Sequence, residues 1–423
     1  MTAVYLRIGS ATADITPDWA LTLAGFAART KPSAGVAQPL HVRVAVLESE
    51  HDEGSRERTA VVTADLLWWG PQQVPTLHRE IAAITGAPEA NVMFSASHTH
   101  SGPQASTRAS ATVGVADPRF LDLLQERTLA AAKDAVGDLE PVTVERATGE
   151  HALGFNRRLD LNPDGAEDPT LTVVSFRRLD GNPKTLFVHY TCHPVITQEY
   201  LLSGEFCGVA MSSLEAELGV NALYLQGCCG DINPDVSGER RIVRGTNADV
   251  GREGMRLADS VRSLLANGGT QLEPVPLRSE HEIVELPFSD LPSVEELEAG
   301  KDEPGVQGEW ARALLAHPEW RTPSIPLHLQ RLDIADGLSL LTMNGEIVVE
   351  YGLRIRQNSG GAALPMGYAN GMTGYVPTAK QIAEGGYEAG GAIPYFFLPA
   401  PFAPEVEAVL GEALDRLAAS RVE

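Results

Sequence analysis

Asn91-Val-Met-Phe-Ser-Ala-Ser-His-Thr-His-Ser-Gly-Pro103 is the stretch on which the reading of this chain turns. An apolar run with strand character, Val92–Ala96, stops at a histidine pair, His98 and His100, and a Ser-Gly-Pro turn follows. Residues two apart on an extended segment point to the same side. Two imidazoles at the end of one strand therefore face one cleft, where neutral imidazole is a favoured zinc ligand. A second stretch repeats the arrangement. In Thr185–Pro194, T-L-F-V-H-Y-T-C-H-P, another apolar strand delivers His193 against a proline. Two strand-end histidine sites in one chain predict a metal centre.

Working outward, His41–Leu47, Thr59–Ala64, Val92–Ala96, Leu171–Phe176, Thr185–His189 and Ala222–Gln226 read as strands. Helical spacing predicts helices over Gln72–Thr85, Arg119–Val136, Met211–Leu218 and residues 247–265, with Pro118 suited to a helix start. Alternation of this kind predicts an α/β fold, a mixed sheet flanked by helices. Leu277–Leu286 reads as extended, Pro292–His317 as exposed helix, and Leu327–Met343 as two strands around the turn Asp333–Gly337. Glu346–Arg356 reads as a helix that Glu346 opens. Pro401–Arg421 reads as a docking helix carrying Val406, Leu410, Leu414 and Leu417. The small-residue runs Gly360–Ala363 and Gly385–Gly391 lack phosphate-loop spacing and read as loops shaped around a site.

Composition narrows the partners. Aspartate and glutamate number 56 against 33 lysines and arginines, a formal net charge of −23 over 423 residues. An acidic surface repels phosphates, so nucleic acid is excluded as a partner. No run approaches the ~20 apolar residues of a spanning helix, which excludes stable membrane insertion by one. The N-terminal M-T-A-V-Y-L-R-I-G-S lacks the basic segment and apolar core of a signal peptide, so a cytoplasmic location is expected. Cys192, Cys207, Cys228 and Cys229 suit a reducing compartment and read as small buried thiols. A rival zinc site made from Cys192, Cys228, Cys229 and a histidine lacks the spacing of structural zinc.

Landmarks along the chain carry a resemblance. They are A-D-I-T-P (Ala13–Pro17), A-G-F-A (Ala24–Ala27), S-H-T-H-S-G-P (Ser97–Pro103), F-N-R (Phe155–Arg157), C-H-P (Cys192–Pro194) and L-S-G-E (Leu202–Glu205). G-D-I-N-P-D (Gly230–Asp235), G-E-I-V-V-E-Y-G-L-R-I-R (Gly345–Arg356) and G-Y-A-N-G-M-T-G-Y-V-P-T (Gly367–Thr378) follow. In this order they resemble the catalytic domain of the neutral, non-lysosomal ceramidases, zinc amidases that cleave the N-acyl bond of ceramide. The resemblance implies one metallohydrolase domain over residues 1–423, without the C-terminal immunoglobulin-like domain of those enzymes. It also implies Zn2+ held by His98, His193, Glu346 and Tyr375. Glu350 competes with Glu346 for that role, and Tyr368 and Tyr387 compete with Tyr375. His100 is expected beside the metal, or as a proton shuttle to the leaving amine, and the reverse assignment of His98 and His100 stays open. Arg157, next to a surface Arg158, is expected to offer its guanidinium to the oxyanion. Asp231 is expected to orient a histidine or to shape its turn, and Asp65 to support the site from a strand end.

One landmark departs from the family. Where the ceramidases read G-D-V-S-P-N, with the serine counted as catalytic, this chain has Asn233 in the serine's place and Asp235 in the asparagine's. An asparagine amide donates hydrogen bonds to an oxyanion but is no nucleophile. The expected function is therefore zinc-dependent hydrolysis of the amide (N-acyl) bond of a small-molecule or lipid substrate. In it a zinc-activated water attacks, while Arg157 and Asn233 stabilise the oxyanion. Two alternatives are a hydrolase of a small polar ester, lactone or sugar derivative, and a non-catalytic binding protein with this fold.

Overall fold

Val92, Phe94 and Ala96 turn to one face of their strand and Met93 to the other, and each face meets a different layer. The computed structural model describes residues 4–51 and 54–419. Residues 1–3 of the N-terminal reading and residues 420–421 of the expected last helix lie outside them. A nine-stranded mixed sheet runs in the order Asn221–Gln226, Pro183–Tyr190, Thr170–Arg178, Glu140–Glu150, Val4–Asp14, His41–His51, Arg56–Ala64, Val92–Ala96, with Thr270–Leu272 added on Glu140–Glu150. The pairs Arg56–Ala64 with Val92–Ala96 and Pro183–Tyr190 with Asn221–Gln226 are parallel, and the rest are antiparallel. The expected mixed-sheet α/β class holds.

A second sheet of Pro274–Pro287, Ser324–Ala335, Leu338–Met343 and Ala363–Met366 packs on the first. Ile8, Val61, Met93, Phe187 and Leu225 meet Leu277, Leu332, Leu340 and Met366 between them. On the far face of the large sheet, helices Val74–Thr85 and Pro118–Gly137 cover one half, and Glu205–Leu218 with Asn247–Asn267 cover the other. Helices Val349–Asn358 and Val406–Ala419 close the outer face of the small sheet through Tyr351, Ile355, Leu410 and Leu414. The order of layers is helix, sheet, sheet, helix. Among the described residues no helix is long and apolar enough to cross a membrane.

Two strands at the middle of the large sheet, Val4–Asp14 and Glu140–Glu150, are absent from the strand-like runs of the sequence. Polar residues interrupt their apolar pattern, and the fold satisfies those groups. Arg7 pairs with the buried Glu48 at 3.0 Å, and Ser10 Oγ lies 2.7 Å from Thr185 Oγ1. The segment Glu346–Arg356 is also corrected. Glu346–Ile347 is a short strand, and the helix begins at Val349, so Glu346 is not a helix-terminal charge. The carboxylate at that helix start belongs to Asp231, which accepts from Val349 N at 2.9 Å.

The loop after Val92–Ala96 and the loop after Pro183–Tyr190 come from opposite regions of the sheet, yet they meet. Gln226, fully buried at the end of Asn221–Gln226, joins them by donating Nε2 to Ser97 O at 2.8 Å and to Cys192 O at 3.0 Å.

The inter-sheet layer predicts a stability contrast. Leu340→Ala removes a fully buried side chain there and should cost about 3 kcal/mol in denaturant unfolding. Ile283→Ala, at a site 59% exposed on the same small sheet, should stay within about 0.5 kcal/mol.

Candidate metal centre

His98 follows its strand in a left-handed conformation (φ 66°), which turns its ring inward. Its Nδ1 lies 2.8 Å from Leu67 O, and His193 Nδ1 lies 2.5 Å from Cys229 O. A carbonyl oxygen only accepts, so each Nδ1 carries a proton, and the neutral form of each ring turns a lone pair out at Nε2. Those two Nε2 atoms face each other at 3.1 Å, and His100 Nε2 is 3.2 Å from His98 Nε2. Burial holds the His193 imidazole down at about 4, so it is neutral at physiological pH. Burial, with His98 and His193 alongside, likewise holds His100 well below the usual range.

The carboxylate arrives from a different direction. Glu346 and Tyr375 are register partners in a two-stranded parallel ribbon, which sets these two residues side by side. Glu346 Oε2 lies 3.3 Å from His98 Nε2 and 3.4 Å from His193 Nε2. Converging imidazole lone pairs and a carboxylate oxygen in a buried pocket are satisfied by a cation. His98, His100 and His193 form a group that could hold a metal, and among the described residues that group contains no cysteine. All four cysteines are buried free thiols.

Gly25 shapes the wall behind His100. Its φ is +93°, and a Cβ there would lie 2.4 Å from His100 Nδ1. Tyr368 stacks on His98 with ring centroids 4.1 Å apart and brings its hydroxyl 3.5 Å from Glu346 Oε2. Tyr387 packs edge-on against Tyr375 at 5.4 Å. Burial pushes the Tyr375 and Tyr368 hydroxyls well above the ordinary phenol value, so a phenolate at either position needs a bound cation.

Arg157 stands beside this group. It lies 5.4 Å from the centroids of both Tyr375 and Tyr387, donates to Glu388 Oε1 at 2.7 Å, and approaches Asn233 Oδ1 at 3.4 Å. Several expectations are corrected here. Arg158 is not a surface residue: it is 3% exposed, bonded to Glu388 Oε2 at 2.5 Å and to Glu384 Oε2 at 3.1 Å. Asp231 orients no histidine, because both Nδ1 atoms are taken by carbonyls. Its oxygens accept from Val349 N, Asn156 Nδ2 at 3.1 Å and Gln381 Nε2 at 3.0 Å, and burial raises it to about 6. Glu350 lies against Gln381 at 3.4 Å, on the Asp231 side of the helix rather than with the imidazoles. Asp65 accepts from His41 N at 2.9 Å and from Arg43 at 3.4 Å, and serves the sheet.

Residues that sequence reasoning missed hold the site together. Gln226 ties the two histidine loops, and its place at a strand end beside Gly227 was the available signal. Arg29 clamps the His100 loop by donating to His100 O and to Ser101 Oγ. Glu388 gathers Arg157 and Arg158. Glu205, in the L-S-G-E landmark, is fully buried and accepts from Thr197 N at 3.0 Å, and burial pushes it up to about 7.

Residues 5–253, more than half of the chain, match the model of the neutral/alkaline non-lysosomal ceramidase N-terminal family. The crystal structure of neutral ceramidase from Pseudomonas aeruginosa superposes with a TM-score of 0.78 at 20% identity, covering 98% of this chain and 74% of that one. A ceramidase structure complexed with C2 gives the same TM-score and identity, with 98% and 75% covered. At that identity the likeness is one of fold. Curated protein sequences give no match.

Two predictions follow from the geometry. Gln226→Leu removes both N–H donors between the histidine loops and should weaken divalent-metal binding at the imidazole cluster 10- to 100-fold in a competitive chelator titration, with the fold retained by circular dichroism. Glu205 binds its proton more tightly in the native state than in the unfolded chain. Its contribution to stability is therefore full below the ordinary carboxyl value and lost as pH rises through about 7. Glu205→Gln keeps an acceptor for Thr197 N but cannot ionise. Its stability relative to wild type should rise between about pH 5 and about pH 8, and a flat difference would exclude Glu205 as the titrating group.

Proposed function

The chain belongs to the neutral/alkaline non-lysosomal ceramidase family, and on that premise we propose that it is a zinc-dependent hydrolase of an amide (N-acyl) bond. One observation carries the proposal: the Nε2 atoms of the buried His98 and His193, each opposite an Nδ1–H committed to a carbonyl, meet at 3.1 Å, with His100 Nε2 3.2 Å from His98 and the Glu346 carboxylate within 3.4 Å of both. We take residues 1–423 as one metallohydrolase unit in this proposal. His98, His193, Glu346 and Tyr375 are its ligands. When bound, the ion supplies a Lewis acid for the scissile carbonyl and activates water.

The remaining steps belong to side chains of this chain. Arg157, held in place by Glu388 and by the two flanking tyrosine rings, offers a fixed positive charge to the oxyanion. Asn233 turns its Oδ1 to Arg157, which leaves the amide N–H2 as the end that donates to the same oxygen. His100, whose Nδ1 is buried without a partner, is the group assigned to pass a proton to the departing nitrogen. Asp231 acts through its three accepted hydrogen bonds as the support of Asn156, Gln381 and the helix start at Val349. The substrate in this reading is a lipid or small-molecule amide. Asn233 favours a second reading, in which the same centre acts on a smaller polar ester or lactone.

The test is elemental analysis together with turnover of a fluorogenic short-chain ceramide. Wild type should carry close to one zinc per chain and lose cleavage on chelation. His193→Ala should lose the metal and at least a thousandfold in kcat/KM, and a fully active His193→Ala would sink the assignment.

A further inference from the structure

Three guanidinium groups approach the centre, and they are committed differently. Arg157 is paired with Glu388. Arg29 spends its donors on the backbone oxygens of Ala24, Gln198, Glu199 and His100 and on Ser101 Oγ, which makes it a clamp. Arg244 is exposed and spends one nitrogen, donating from Nη1 to Val195 O at 2.7 Å. Its guanidinium lies over the Phe26 ring at 4.9 Å, and the same ring packs on His100 at 4.8 Å. Among the described residues no carboxylate forms an ion pair with Arg244. The acid whose field reaches it, Glu205, is fully buried and bonded to Thr197 N. The neighbouring loop arginines are matched, Arg240 by Glu167 at 2.6 Å and Arg241 by Glu239 at 2.6 Å.

The position is also fixed. Gly245 N donates to Ile196 O at 2.7 Å directly after Arg244, and Thr246 caps the helix Asn247–Asn267. A guanidinium stacked on an aromatic ring, with one nitrogen on a carbonyl, keeps its other N–H groups in one plane. That is a fork suited to a carboxylate or phosphate. On a chain of net charge −23, an unmatched cation one packed ring from the imidazole cluster has no role in general solubility. Ceramide, neutral in both halves, offers it nothing.

We propose that Arg244 is a specificity-determining residue, and that the substrate is an N-acyl compound carrying a carboxylate or phosphate close to the scissile amide. The bond cleaved rests on the N-acyl hydrolase reading above; the anion rests on Arg244 itself. The anion sits either on the amine half, as in an N-acyl amino acid, or on the acyl half, as in the monoamide of a dicarboxylic acid.

Zinc-loaded enzyme distinguishes these with two matched pairs: N-lauroylglycine against N-lauroylethanolamine, and N-dodecylsuccinamic acid against N-dodecylbutyramide. The anionic member of one pair should be favoured at least tenfold in kcat/KM, mainly through KM, and the favoured pair identifies the half that bears the charge. Arg244→Gln should cut that ratio at least tenfold, Arg244→Lys should keep only part of it, and added salt should erode it. Equal or reversed preference in both pairs, or an unchanged ratio in Arg244→Gln, would overturn the proposal. Calorimetric binding of the same four amides covers the case of no turnover. Arg244-dependent binding of an anionic member would then uphold the anion site and remove the N-acyl hydrolase reading, whereas equal binding by wild type and Arg244→Gln would overturn the anion site.

Discussion

Two buried imidazoles that turn lone pairs toward each other are the constraint on which the rest of the site depends. His98 and His193 are each locked by a carbonyl on Nδ1, and their Nε2 atoms stand 3.1 Å apart, lone pair facing lone pair when both rings are neutral. That arrangement is unfavourable by itself, and His98 adds a left-handed backbone that costs roughly 1–2 kcal/mol. It persists because the fold enforces it from outside. The Gln226 amide bridges Ser97 O and Cys192 O, each one residue from a histidine, so neither loop relaxes without breaking a buried hydrogen bond. Local strain upheld by distant structure is what a preorganised ion site requires.

A second frame fixes the remaining groups. Asp231 accepts from Asn156, from Gln381 and from the first turn of the helix at Val349, and so joins three segments distant in sequence. The backbone on either side of it carries the chemistry-bearing groups: Arg157 N donates to Asp231 O, and Asn233 lies two residues on, paired in register with Phe155. Gly230 N donates to Ile347 O at 2.8 Å, where a Cβ would lie 3.0 Å from Glu346 O, so the glycine seats the Glu346 strand against this turn. The short strands bearing Asn233, Glu346 and Tyr375 are thus a single mechanical unit.

The legible part of the sequence was the part with one physical cause per signal. Val92–Ala96 and Thr185–His189 read as strands because burial on both faces demands unbroken apolar runs, and the histidines at their ends were visible for that reason. Glu140–Glu150 escaped because Arg146 falls in line with Val142 and Val144 and breaks their apolar face, while Glu145 finds its partner, Arg177, on another strand. Glu346 was drawn into the following helix because helical periodicity runs through it, and a two-residue strand leaves no period to detect. Arg158 read as surface because nothing local announces Glu384 and Glu388, more than two hundred residues away. Gln226 carried only its place at a strand end beside Gly227, since its meaning lies in which two loops it bridges.

Asn233 then bears on how the proposed chemistry is organised. A serine at that position is able to attack a carbonyl only if a neighbour takes its proton, and the nearest cationic neighbour here, Arg157, is no base. The asparagine removes the question, since its amide has no proton to lose at neutral pH. Its Oδ1 faces the Arg157 guanidinium, which orients the amide and leaves the N–H2 end for a developing negative charge. The nucleophile in the proposed reaction must therefore come from outside the side chains of this turn, and water at the imidazole cluster is the source consistent with the lone pairs that converge there. In the proposed reaction, the asparagine thus places the whole burden of attack on water at the imidazole cluster.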